Sequence, residues 1–322
     1  MTRPATTCLL GTVSCTLALT AAPAFGRDAG ASSASRVDVA ASFAVGWQDN
    51  IALTAEEPDK IDVATTHLDL ALGYRLVETR DLEIAASLTP FYEWVSDVED
   101  LSNYGVTAAA ELSGAFGPDF AAPWYSARAA YTLIRFDDSD PRDGDWIDIE
   151  LALGKRFTPR FGIHGGYRYH QRWQEDDDPE CVTAGCAPQF NWQTGEVFDL
   201  ERHGVFLHAD LTPAEATNVF AEYTFWNGDV AVTGRPAVPN VAVVDDLALE
   251  GFTNDDGTPG VFRVWRADAD QHVVEVGIDQ RFSERLSTRL SAIYLWTSDI
   301  QNEISEEDYE NTMVTLSFTV EL

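Results

Sequence analysis

The chain has 322 residues, with 53 Asp or Glu against 21 Lys or Arg, a formal net charge of -32. That balance excludes ordinary nucleic-acid binding, because phosphates repel an acidic surface and are normally met by a basic patch. With 45% hydrophobic residues the chain is also not disordered by composition, which takes low hydrophobicity and high charge together.

Residues 1–24 read as a secretory signal peptide. Arg3 gives a positive start, residues 8–21 form an apolar or small-residue run, and Ala22-Pro23-Ala24 fits a small-x-small cleavage site. A short periplasmic segment, 25–35, is expected to follow, and then one β domain over 36–322. Removing the signal leaves Cys181 and Cys186, a close pair in an exported chain, which is read as a small loop disulfide. No second Cys pair or nearby His has zinc spacing, so neither a metal nor a cofactor is implied.

No later segment offers the ~20 apolar residues of a spanning helix, so strands must carry any membrane role. The first runs over 36–48, with Val37, Val39, Ala41, Phe43, Val45 and Trp47 on one face and Asp38, Ser42, Ala44 and Gln48 on the other. The second sets Leu68, Leu70, Leu72, Tyr74 and Leu76 against Asp69, Ala71, Gly73 and Arg75. In the third, over 82–94, Pro90 cannot donate to a ladder and is expected to mark a bulge or bend. The fourth and fifth cover 104–112 and 125–133, and the sixth alternates Ile147, Ile149, Leu151 and Leu153 with Asp148, Glu150, Ala152 and Gly154.

The seventh, 161–173, gathers Gly162, His164, Gly166, Arg168, His170 and Arg172 on one face. The eighth covers 204–211, and the ninth, 219–226, puts Phe220 and Trp226 on its otherwise polar face. Two more follow over 274–279 and 286–296. The last ends the sequence given, with Val314, Leu316, Phe318, Val320 and Leu322 alternating with Thr315, Ser317, Thr319 and Glu321. About twelve strands result, an even number.

Every second link is tight, as at 78–81, 158–160, 213–216 and 283–285, with 117–123 slightly longer. The intervening links, 49–60, 96–103, 137–145, 174–200, 227–271 and 298–308, are longer and acidic. Segment 227–271 either folds into the mouth or forms an external hairpin. Two aromatic girdles are expected at the membrane interfaces: Trp47, Trp94, Tyr104, Trp146, Trp173, Phe225, Trp296 and Tyr309 beside the long links, and Tyr125, Phe157, Phe161 and Phe282 beside the short ones.

From about Arg36 to Leu322 the chain resembles Gram-negative outer-membrane β-barrel proteins of a porin-like kind, with short periplasmic turns and long acidic extracellular loops. Its end resembles the signal such proteins present to the barrel-assembly machinery, although Ser317 stands where that pattern has Gly and Leu322 where it has an aromatic. The resemblance implies a closed antiparallel transmembrane β-barrel in the outer membrane, in contact with lipid and lipopolysaccharide, and compatible with a homo-oligomer. The closing strand is expected to pair its Val314-to-Leu322 row with the Val37-to-Trp47 row, leaving no open edge. A soluble barrel would set an apolar row against a charged outer row; here the polar row is mostly Gly, Ala, Ser and Thr with scattered charge, which suits a crowded, partly watered lumen.

Candidate lumen-lining residues are Arg128, Arg156, His164, Arg168, His170 and Arg172, with Glu83, Glu93, Glu111, Asp148 and Glu150 facing the same space. The cations make a ladder with steps of ~6.5–7 Å along a strand, suited to guiding carboxylate or phosphate. Mutual neutralisation by the acids is the reading preferred over an open ladder. The expected function is a channel for passive diffusion of small solutes. The alternatives are a surface-export or assembly barrel for lipoprotein or polysaccharide, and a lipid-modifying enzyme. His164, His170 and His208 could serve as bases, but no spacing ties any of them to a serine, and the lipid wall is expected to carry almost no Ser or His. The acidic loops could bridge divalent cations weakly, without EF-hand spacing.

Overall fold

The computed structural model describes residues 36–51, 53, 60–79, 81–137, 142–175, 197–234, 244–245, 263–301 and 308–322. The expected signal peptide, the 25–35 segment and the Cys181–Cys186 disulfide lie outside them. Twelve long strands follow in chain order: β1 (Val37–Gln48), β2 (Val63–Glu78), β3 (Leu82–Val95), β4 (Asn103–Ala115), β5 (Trp124–Phe136), β6 (Gly144–Thr158), β7 (Phe161–Gln174), β8 (Leu200–Ala214), β9 (Thr217–Gly234), then β11 (Arg263–Arg281), β12 (Leu286–Gln301) and β13 (Glu310–Glu321). A two-residue strand, β10 (Val244–Asp245), lies against β11 outside the main wall.

Every neighbouring pair is antiparallel; β9 pairs with β11 and β13 with β1, so the twelve long strands close into a barrel. Closure removes every free edge, the condition for strands to cross lipid. The closing seam joins the two rows expected to pair, with Phe43 opposite Phe318, Val45 opposite Leu316 and Trp47 opposite Val314. On its inner side the Ser42 and Thr319 hydroxyls lie 3.2 Å apart.

Alternation becomes an inside and an outside because successive strand side chains point to opposite faces. On β2, Leu68 is 49% and Leu72 40% exposed, whereas His67 between its outward neighbours is 2% and Asp69 8% exposed. This is the reverse of a soluble barrel: the large aliphatic side chains face out and the charges face in, so the medium outside the wall is hydrocarbon. The closed antiparallel transmembrane β-barrel expected from the sequence is the fold of the chain.

The connections are very unequal. At one end the links are 79–81, 116–123, 159–160, 215–216 and 282–285, and β1 starts and β13 finishes at that same end. The other end carries the long links. There the described residues form apolar clusters: Ile51, Ile61, Val63, Val95, Val98 and Leu101 in one, and Leu53, Val230, Val232, Ala267, Ala269, Leu295 and Tyr309 in another.

The ninth and tenth predicted strands are much longer than the sequence suggested. Residues 227–234 and 263–271 continue the β9–β11 ladder as the stem of a hairpin, from Asn227 opposite Asp270 to Gly234 opposite Arg263. Both faces of that stem are covered: Val230 and Val232 pack with Leu53, Leu295 and Tyr309, and Ala231 and Val264 pack with Val197, Phe198 and Leu200. Where the stem leaves the wall, Gly228 has φ +136°, and a Cβ there would come within 2.4 Å of the Glu201 carbonyl.

Two expectations are corrected. Pro90 makes no bulge: Asp69 stays opposite Phe91 and Leu72 opposite Leu88, so the missing donor interrupts the ladder without shifting register, and the bulge in that pair lies between Arg75 and Val77 instead. Trp146 and Tyr309 are not girdle residues. Both are buried inside, Trp146 beside Ile134 and Phe136 and Tyr309 in the mouth cluster, whereas Trp47, Trp94, Tyr104 and Trp173 face out as expected. Burial pushes the Tyr309 hydroxyl up to about 12, so it sits neutral in that apolar cluster.

Candidate functional site: the barrel interior

Strand pairing fixes the height of each inward side chain, and the interior is built in levels. At the short-turn end Arg156 meets Asp210 at 3.3 Å. Nearby, Arg289 reaches Asp279 with both edges of its fork, Nε to Oδ1 at 2.5 Å and Nη2 to Oδ2 at 3.1 Å, and lies 4.7 Å from the Phe220 ring.

Above these sits an aromatic layer. His164 and His208 stack at 4.4 Å, His208 continues onto Phe220 at 5.6 Å, and His164 also meets Trp124 at 5.2 Å and the edge of Phe206. The wet-face glycines seat such rings. Gly154 lies directly opposite Trp124, Gly204 opposite Trp226, Gly277 opposite Phe220 and Gly105 opposite Phe91. At each of these glycines a Cβ would fall within 2.3–2.7 Å of the facing ring. The glycines that suggested a watered lumen are therefore partly space made for aromatic side chains across the ladder.

At mid-barrel Arg168 is 3% exposed. Its Nε donates to Glu150 Oε2 at 2.9 Å, and its Nη1 donates to Glu222 Oε1 at 2.5 Å and to the Thr224 hydroxyl at 2.8 Å. The second Glu222 oxygen lies 3.1 Å from His208 Nδ1, and the guanidinium covers the Phe206 ring at 3.9 Å. One arginine is thus held by two carboxylates, a hydroxyl and a ring, each from a different strand or register position. Such saturation offsets the desolvation of a buried charge.

Toward the long-loop end, His170 Nδ1 contacts Asp148 Oδ1 at 2.7 Å and His67 Nδ1 contacts Glu93 Oε2 at 3.4 Å. Arg202 donates to Gln271 Oε1 at 2.9 Å and lies 4.6 Å from the Trp226 ring. Arg172 donates to the Arg142 carbonyl, and both guanidinium groups lie on Phe198.

All eleven candidate residues lie on inward-facing positions, but they do not form one ladder. Arg156, Arg168 and His170 are each drawn to a different acid. Arg128 sits in register between Glu111 and Glu150. Glu83 and Glu111 hold contacts of their own nearer the short-turn end. Among the described residues no group of His, Cys, Asp and Glu is arranged to hold a metal ion.

Sequence reasoning did not single out His67, Arg142, Arg202 or the Arg289–Asp279 pair. The step of two from Gly204 places Arg202 on the wet face, so parity carried that signal; Arg142 lies in a link with no periodicity to read. The lipid wall is also less bare than expected. His203 and His272 face outward, held by the Tyr167 hydroxyl at 2.5 Å and the Tyr223 hydroxyl at 2.7 Å, and His272 stacks on Trp296 with Ser298 Oγ 3.4 Å from its Nε2. They lie beside girdle aromatics, where a polar tip meets the interface.

Wall, charges and closure together define an outer-membrane type of β-barrel. No protein-family model matches the sequence, and no curated protein matches it significantly. Among solved structures the chain resembles an outer membrane channel from Pseudomonas putida F1, with 12% identity over 92% of this chain and 99% of that one at a TM-score of 0.54. The translocator domain of the autotransporter NalP from Neisseria meningitidis aligns over 88% of this chain and 87% of its own at 13% identity and a TM-score of 0.42. A KdgM porin aligns over 87% and 98% at 7% identity and a TM-score of 0.40. At these identities the first likeness establishes the fold.

Proposed function

We propose that the chain is a porin-like channel of the bacterial outer membrane that passes small solutes by passive diffusion. The observation that carries this reading is the inversion of the wall: aliphatic side chains face out on every strand, while charges of both signs face an enclosed interior. A purely structural barrel could fill that space with aliphatic groups, yet this one holds four inward arginine–carboxylate contacts among the described residues. An exported, membrane-inserted barrel fits the signal-like start and the alternating closing strand, whose apolar row offers the assembly machinery an edge to engage.

The test is conductance of the purified protein in a planar bilayer. Stepwise ion currents are expected, and their absence both before and after removal of the long loops would sink the channel reading. With Arg168 and Arg172 both changed to Ser, the reversal potential in a salt gradient should move toward cation preference.

A further inference from the structure

We infer that the long-loop end of the interior holds a binding site for small monocarboxylates, centred on Arg172; the inference rests on the channel reading for how such an ion arrives. Arg172 ends the inward row of β7 and is 5% exposed. Its Nη2 donates to a neutral acceptor, the Arg142 carbonyl, and its Nε is buried with no hydrogen-bond partner. Among the described residues no carboxylate comes within ion-pair distance of it.

That arrangement is not forced by a shortage of acids, since the chain carries 53 of them. Nor does Arg172 sit apart from them: Asp143 and Asp199 are near enough to act on it electrostatically. Both are turned to other work. Asp143 accepts the Phe136 N–H at 2.7 Å and lies 3.6 Å from Arg135, and Asp199 accepts the Gln174 N–H at 2.7 Å. A buried guanidinium whose Nε–H has no acceptor is costly in isolation and favours an anion.

The surroundings choose among anions. The Arg172 guanidinium lies 5.3 Å from the Phe198 ring centre and 6.0 Å from that of Trp146, and Arg142 lies 4.9 Å from Phe198 on the same ring. These rings give the guanidinium an apolar surround, so an anion that reaches it needs an apolar body beside its charge. Asp143 and Asp199 repel a second negative charge, which disfavours a dianion such as phosphate. A carboxylate with one charge and an apolar body satisfies both conditions.

The experiment is isothermal titration of the full-length protein in detergent with sodium benzoate. Benzyl alcohol and inorganic phosphate serve as the uncharged and doubly charged probes. Saturable benzoate binding is expected, with acetate competing, and R172Q should weaken it about tenfold or more, since a hydrogen bond to a charged group is lost. R172K keeps the charge without the fork and should fall between the two; it also stands in if R172Q does not fold, which the heat-shift of the folded band on a gel would reveal. No saturable benzoate binding to the unaltered protein, unchanged binding in the folded variants, or tighter binding of phosphate would each overturn the site. Currents without benzoate binding remove the site and leave the channel; benzoate binding without currents does the reverse.

Discussion

Arg168 and Arg172 stand four residues apart on the same inward face of β7, equally buried, and are treated in opposite ways. Arg168 is met by Glu150, Glu222 and Thr224. Arg172 is given a backbone carbonyl and two aromatic rings. The contrast shows that this interior is not uniformly a ladder of positive charge. Its mid-barrel level is a closed ionic network that ties β6, β7 and β9 together, and its upper level keeps a guanidinium whose charge is left to be met from elsewhere.

The difference can be broken most severely at mid-barrel. Arg168→Ala would leave Glu222 and Glu150 without their arginine, and breaking a buried pair on one side costs about 3–5 kcal/mol. The temperature at which the folded band is lost on a detergent gel should fall sharply. Arg168→Met combined with Glu222→Gln should recover part of that loss, because it removes the arginine together with the more buried of its two carboxylates. If the double variant were no more stable than Arg168→Ala, the network would not be what holds this level.

A smaller effect sharpens the account of the aromatic layer that supports the network. Phe220 lies under both Arg289 and His208 and is seated against Gly277. Gly277→Val would drive a side chain into that ring, and overpacking of this kind costs about 1–3 kcal/mol. Near-ultraviolet circular dichroism should show the disturbed aromatic layer, whereas the same change at Gly73, where a Cβ meets nothing closer than 3.6 Å, should leave the spectrum as it was.

Much of this was legible in the residues alone. Strict alternation gave the strands, the outward row and the two rows that meet at the closing seam, because a period of two leaves one choice of face once the outside is lipid. The preference for paired over open charge followed from the acids on the same faces as Arg168 and His170. What could not be read is which acid meets which base. That depends on how adjacent strands are staggered, and alternation is blind to a stagger of two. The same blindness hid the rings opposite Gly154, Gly204 and Gly277, which read as small residues lining water. Trp146 shows a further limit: it sits beside a long link, where girdle residues belong, but its parity with Asp148 and Glu150 turns it inward, and parity decides. The hairpin stem at 227–234 and 263–271 escaped because both of its faces are covered, so Val230, Ala231 and Val232 run consecutively instead of alternating.

The smallest expected effect on stability is the most informative for the comparison. Arg172→Gln removes a buried charge that has no carboxylate partner among the described residues, so nothing is left stranded; the loss is one hydrogen bond to the Arg142 carbonyl plus stacking on Phe198 and Trp146. Losing one hydrogen bond to a backbone carbonyl costs about 0.5–1.5 kcal/mol. The folded band should therefore survive heating almost as well as in the unaltered protein, in contrast to Arg168→Ala on the same strand. If Arg172→Gln proved as damaging as Arg168→Ala, the upper arginine would be a structural tie after all, and the distinction between a saturated level and a level kept open for an anion would fail at its base.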